Sequence, residues 1–135
     1  MKSKSLKIAF GWVFLIGFLS HAWAGCESPK AGYDTTYCTA KLFIESDDEL
    51  NSAYSSLRSL LTDKQKQILK RSQLAWIKYR DLWCSQSTDG GVAISTSCSY
   101  KTNKTRTKFL LDRVTECKIG ACSVTQLSRT DFRNQ

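Results

Sequence analysis

The sequence predicts an all-α fold: a small three-helix, disulfide-stapled domain with an antiparallel helical hairpin. Three observations predict it. Apolar residues recur at helical spacing through two long stretches between Thr39 and Cys84. The tetrad Thr62-Asp63-Lys64-Gln65 separates those stretches and has the spacing of a capping box. All six cysteines fall between Cys26 and Cys122, and an even number in a small exported domain reads as a disulfide framework.

Residues 1–24 are expected to be a signal peptide. Lys2, Lys4 and Lys7 form a basic start, Ile8 to Leu19 is apolar residues and glycine, and Ala22-Trp23-Ala24 is a small-x-small cleavage site before Gly25. The run falls short of the roughly 20 residues that span a bilayer. An uncleaved anchor is the alternative, and the cleavage site that follows at once speaks against it. A lipoprotein anchored through Cys26 is a further alternative, although Trp23 stands where a lipidation signal wants a Leu-like residue. No second such stretch follows, so the mature chain is expected to be periplasmic or secreted and not transmembrane. Residues 25–135 suffice for one domain, with a core thin enough for staples to matter.

The mature chain is expected to hold a helical domain over 25–122 and a polar C-terminal tail over 123–135. Gly25 to Cys38 reads as irregular, with Pro29, Gly32 and a Cys26–Cys38 loop. Helix A is expected from about Thr39 to Leu61, with Phe43, Leu50, Tyr54, Leu57 and Leu61 on one face. Thr62 caps helix B, which runs to about Cys84 and carries Ile68, Leu69, Ala75, Trp76, Tyr79, Leu82 and Trp83. The short corner between A and B predicts the antiparallel hairpin. Ser85 to Ser97 reads as a polar loop broken at Asp89-Gly90-Gly91. Helix C starts near Ser97, carries Cys98, Thr102, Thr105, Phe109, Leu110 and Val114, and ends at Cys117. Proximity pairs Cys26 with Cys38, Cys84 with Cys98, and Cys117 with Cys122. The middle bridge closes a loop worth about 3 kcal/mol in the chain-entropy model. The end of the tail is expected to be disordered.

The net charge of +8 falls to +5 without Lys2, Lys4 and Lys7, with 12 acidic residues opposing the remaining basic ones. A basic exported protein meets anionic envelope material more readily than nucleic acid. The single histidine, His21, leaves with the signal. That excludes Ser-His-Asp and Cys-His nucleophile systems and His-ligated metals. No Cys-x-x-Cys pair points to zinc, and no cofactor is expected. Glu45, Asp47, Asp48 and Glu49 are the one acidic cluster. They read as a solvated face complementing the helix dipole near the start of helix A, rather than as opposed glycosidase carboxyls. The protein is therefore expected not to be an enzyme.

The most distinctive stretch runs Arg71-Ser72-Gln73-Leu74-Ala75-Trp76-Ile77-Lys78-Tyr79-Arg80-Asp81-Leu82-Trp83-Cys84. With it go Glu49-Leu50-Asn51 and Tyr54 upstream, Gly90-Gly91 and Cys98 downstream, and then Thr105, Phe109 and Leu110. This pattern resembles the LprI-type lysozyme-inhibitor family over about Cys26 to Cys122. The resemblance implies an exported, disulfide-bonded helical domain and inhibition of c-type lysozyme. It carries over no set of site residues.

Read physically, Trp76 and Tyr79 are core anchors with polar tips, and Arg80 offers a planar fork for a carboxylate or helix-end carbonyls. Asp81 can pair locally. The expected function is binding: steric blocking of a lysozyme-type hydrolase, a protein partner. The alternatives are an envelope accessory protein using the basic stripe Lys101, Lys104 and Lys108 of helix C, with Lys64, Lys70, Arg71 and Lys78 of helix B, for anionic ligands, and an immunity protein against a peptidoglycan-attacking toxin. The expected docking residues are Thr88, Asp89, Gly90 and Gly91 in the tied loop, together with Arg80 of helix B. The alternative for that loop is that Val92 and Ile94 cover the end of the core.

Overall fold

A computed structural model describes Cys26 and residues 32–132. The expected signal peptide and the last residues of the tail lie outside the described residues. The chain forms helix α1 (Gly32–Ser59), helix α2 (Asp63–Trp83), strands β1 (Ser85–Thr88) and β2 (Gly91–Ile94), helix α3 (Thr96–Lys118) and the short helix α4 (Val124–Leu127). Among the described residues no helix is long and apolar enough to cross a membrane.

The all-α expectation holds, and helix A begins earlier than expected. The segment before Thr39 carries no apolar periodicity, so its helicity was not visible in the pattern. Threonine hydroxyls bond back along it, Thr36 Oγ1 to the Gly32 carbonyl at 3.0 Å and Thr39 Oγ1 to that of Thr36 at 3.1 Å. Cys26 is bonded to Cys38, which lies within α1, so the staple ties Cys26 to that helix.

The corner after α1 is as expected. The Thr62 amide donates to Gln65 Oε1 at 2.9 Å, and the Gln65 amide to Thr62 Oγ1 at 3.4 Å, which satisfies two otherwise orphaned donors. The helix then runs back along α1, and Arg80 near its far end meets Asp47 in α1. Backbones approach most closely elsewhere, however, between α1 and α3. These two run parallel: Thr96 bonds Thr39 and Asn103 bonds Ser46 in constant register. Buried Ser46, Ala53 and Ser99 are small enough to permit the approach. Helix α2 stands further off, and larger side chains fill the space.

The core gathers Leu50, Ala53, Leu57 and Leu61 of α1, Leu69 and Trp76 of α2, and Phe109, Leu110 and Val114 of α3. Leu127 of α4 is fully buried in the same cluster, and Phe132 packs against it. The expected polar tail is thus part of the packing at two positions, because the Cys117–Cys122 bond and Gly120, at φ 79°, turn the chain back. Leu82 and Trp83 were expected on the apolar face of helix B and are instead exposed.

All three expected disulfides are present: Cys26–Cys38, Cys84–Cys98 and Cys117–Cys122. The oxidised protein, denatured without reductant, is expected to give no reaction with a thiol-specific dye. Two or more reactive thiols per chain would overturn the framework. Lipid on Cys26 requires its sulfur, so a lipoprotein form would leave Cys38 as one reactive thiol.

Candidate functional site

The expected loop Ser85–Ser97 is a β-hairpin. Its register pairs Ser85 with Ile94 and Thr88 with Gly91, around an Asp89-Gly90 turn. Gly91 sits at φ 123°, a backbone state L side chains rarely adopt. Thr88 Oγ1 donates to the Gly91 carbonyl at 3.0 Å and braces the turn. The base is held by the Cys84–Cys98 bond and by the Ser95 amide donating to the Cys84 carbonyl at 2.9 Å. The pleat that makes the hairpin runs through Ser-Gln-Ser-Thr and Val-Ala-Ile. Its serines and glycines hid it, and only the Thr and the β-branched pair are strand formers.

From Gln86 to Ile94 every residue is exposed. Val92 and Ile94, at 74% and 56% exposure, do not cover the core, so that alternative is overturned. Asp89 is the only charged side chain between Ser85 and Ile94. The hairpin continues directly from Leu82 and Trp83, both more than half exposed. Trp83 stacks on Tyr79 with centroids 6.0 Å apart, and Tyr79 meets Phe132 at 5.4 Å.

Arg80, also expected among the docking residues, is largely engaged within the fold. Its side chain is only 13% exposed and serves the interior. Nη1 donates to Asp47 Oδ1 at 3.2 Å and to Asn103 Oδ1 at 3.1 Å, while Nε donates to Asp81 Oδ1 at 3.0 Å. The guanidinium lies 5.3 Å from the Trp76 ring centroid. Arg80 therefore joins all three long helices, which is the planar-fork role expected of it on physical grounds.

A second buried cation was not anticipated. Arg106 is fully buried; Nε donates to Gln73 Oε1 at 3.1 Å and Nη2 to Ser72 Oγ at 3.1 Å. Burial lowers its pKa to about 10, so it remains charged at neutral pH. Its guanidinium lies 4.6 Å from the Phe109 ring centroid. The one sequence signal was that Arg106 follows Asn103 and precedes Leu110 at helical spacing, on the side of α3 that carries the core.

The acidic cluster is mid-helix, since α1 starts at Gly32, so the expected macrodipole role fails. Glu45 is paired with Lys41, Asp47 with Arg80, and Glu49 with Lys104 at 2.6 Å. The Glu49 hydrogen bond holds the Lys104 ammonium above its ordinary pKa. Lys108 is paired with Asp112. Of the expected basic stripe only Lys101 has no ion pair among the described residues. Among the described residues no cluster of side chains is arranged to hold a metal.

The residues that carried the resemblance are spatially sorted. Leu50, Asn51 and Tyr54 of α1 and Gln73, Trp76 and Arg80 of α2 line one groove between those helices, whereas Gly90 and Gly91 lie at the hairpin. No curated protein and no solved structure matches the chain. Residues 26–110 match the family model described as Lysozyme inhibitor LprI, a family of inhibitors and not of enzymes. The match takes in the Cys26–Cys38 staple, the α1–α2 hairpin, the β-hairpin and about the first two thirds of α3, and on it the chain belongs to the LprI lysozyme-inhibitor family.

Proposed function

We propose that this protein, exported to the periplasm or beyond, blocks a lysozyme-type hydrolase by docking its β-hairpin into the enzyme's saccharide cleft. The observation that carries the reading is an exposed hairpin, clamped at its base by a disulfide, on a chain of an inhibitor family. A strand pair already tied in place loses little conformational entropy on docking. Thr88 and Asp89 at the tip offer polar contacts, with Gly90 and Gly91 permitting close approach. Trp83, exposed just before the hairpin, is the residue type that most often anchors an interface.

Charge is the physical difficulty, because lysozymes are generally basic and a basic chain gains no long-range steering toward them. Locally the sign is favourable. Asp89 is the only charge on the hairpin, and a rim carboxylate acts at short range despite the net charge.

The test keeps Gly91, whose positive φ would strain any replacement. The double variant Asp89→Ala/Val92→Ala alters only exposed side chains, leaves the Thr88 brace in place, and is expected to retain the parent's circular dichroism. Inhibition of a c-type lysozyme in a cell-wall turbidity assay is expected to weaken about tenfold or more, the loss of about 1.4 kcal/mol of binding. Equal inhibition by parent and variant would remove the hairpin as docking element. A parent that inhibits no lysozyme tested would end the reading itself.

A further inference from the structure

The groove between α1 and α2 follows from the packing. Helix α1 lies close on α3, while α2 is held away by the side chains of Trp76, Gln73 and Arg80. The cleft left on the outer side has a volume of about 500 Å³, within the range of about 300–1,000 Å³ common for small-ligand sites. Leu50 and Trp76 form its floor, and Tyr54, Leu74 and Ile77 its apolar walls. Leu74 is 57% exposed although it faces other apolar side chains.

The two ends differ in charge. At one end Arg80 is neutralised by Asp47. At the other stand Arg58 and Lys70, both exposed, and among the described residues neither makes an ion pair. Helical spacing puts Tyr54 one turn from Arg58, and Leu74 one turn from Lys70, so each cation continues the wall that its own helix contributes. The Tyr54 hydroxyl makes no hydrogen bond within the protein among the described residues, which leaves a donor near the cationic end. From Leu50 to Arg58 the groove follows eight residues of helix, about 12 Å at about 1.5 Å each.

We propose that this groove binds a medium-chain amphiphile with an anionic head, a carboxylate or a phosphate ester. The alkyl chain lies on Leu50, Tyr54, Leu74 and Ile77, and the head is held by Arg58 and Lys70. The Asp47–Arg80 pair closes the far end and limits chain length, because desolvating an ion pair against hydrocarbon is costly. The orientation follows from charge: Asp47 repels an anion, and the two cations attract one. This site is separate from the hairpin and does not depend on lysozyme inhibition.

Calorimetric titration of the oxidised protein below micelle-forming concentrations tests it. Decanoate and decyl phosphate are the probes, decyltrimethylammonium and butyrate the controls. Saturable one-to-one binding of decanoate, decyl phosphate or both is expected, and which of them binds identifies the head group. The controls are expected to bind at least about tenfold more weakly. Arg58→Glu/Lys70→Glu alters exposed side chains only and is expected to weaken probe binding about tenfold or more, with unchanged circular dichroism. A protein that binds neither anionic probe overturns the proposal, as does one that binds the cationic control equally well or is indifferent to the charge reversal. Assaying the same double variant against lysozyme separates the two sites. Loss of inhibition without any probe binding would mean that a protein partner occupies the groove, which also overturns the proposal.

Discussion

Trp76→Ala is expected to destabilise the domain by about 3–5 kcal/mol, the usual cost of deleting a large buried aromatic. Trp76 is 1% exposed and belongs to the same cluster as Leu50, Leu69 and Phe109. Its ring also faces two guanidinium groups, Arg80 at 5.3 Å and Arg106 at 5.9 Å from the centroid. Deleting it opens a cavity at the meeting point of α1, α2 and α3 and strips both cations of an aromatic neighbour. Against a typical stability of about 5–15 kcal/mol this is a large fraction. In a domain of this size it would lower the melting temperature by roughly 15 °C or more. Trp76→Phe retains a ring and should lose clearly less. Urea unfolding of the oxidised variants, followed by circular dichroism, checks the order; an alanine variant as stable as the parent would show that the ring is not a core anchor.

Arg106→Ala is expected to cost roughly 3 kcal/mol, from polar partners left buried and unsatisfied at about 1–3 kcal/mol each, together with lost packing on Phe109. Two effects oppose. Removing a buried cation relieves the desolvation that lowers its pKa to about 10. Yet it also strands Gln73 Oε1 and removes the donor to Ser72 Oγ. Ser72 in turn donates to the Arg129 carbonyl at 2.8 Å, so the loss reaches the C-terminal segment. Arg106→Met separates the two effects. It returns apolar volume without the charge, and is expected to fall between parent and alanine. Chemical denaturation gives the stabilities, and limited proteolysis near Arg129 should be faster in the alanine variant. Equal stability of parent and Arg106→Ala would mean that desolvation cancels everything Arg106 contributes.

The candidate docking residues divide by the same physics. Thr88, Asp89, Gly90 and Gly91 were legible as a chain reversal between two cysteines, since glycine pairs and Asp mark turns. That the reversal is a paired hairpin was not legible, because Gln86, Ser87 and Ala93 have no strand preference of their own. Arg80 was legible as a fork but not as an interior one. Its partners Asp47 and Asn103 lie far away in sequence, and nothing local announces them.

The sequence by itself determined the local features. The capping box at Thr62, the periodic face from Leu50 to Leu61, the burial of Trp76 and the three disulfide pairs depend on residues close along the chain. Short-range hydrogen bonds, helical periodicity and short cysteine loops decide such features before distant segments meet. The tertiary structure decided what lies inside on α3 and in the tail. Ser99, Asn103 and Arg106 are polar and would be solvated on an isolated helix, yet all three are buried. Asn103 is inside because the parallel approach of α1 brings it Ser46, and Arg106 because α2 brings it Gln73 and Ser72. A polar group can be buried only where another part of the chain replaces the water it gives up. The close packing of α1 on α3, with α2 standing off, supplied those replacements.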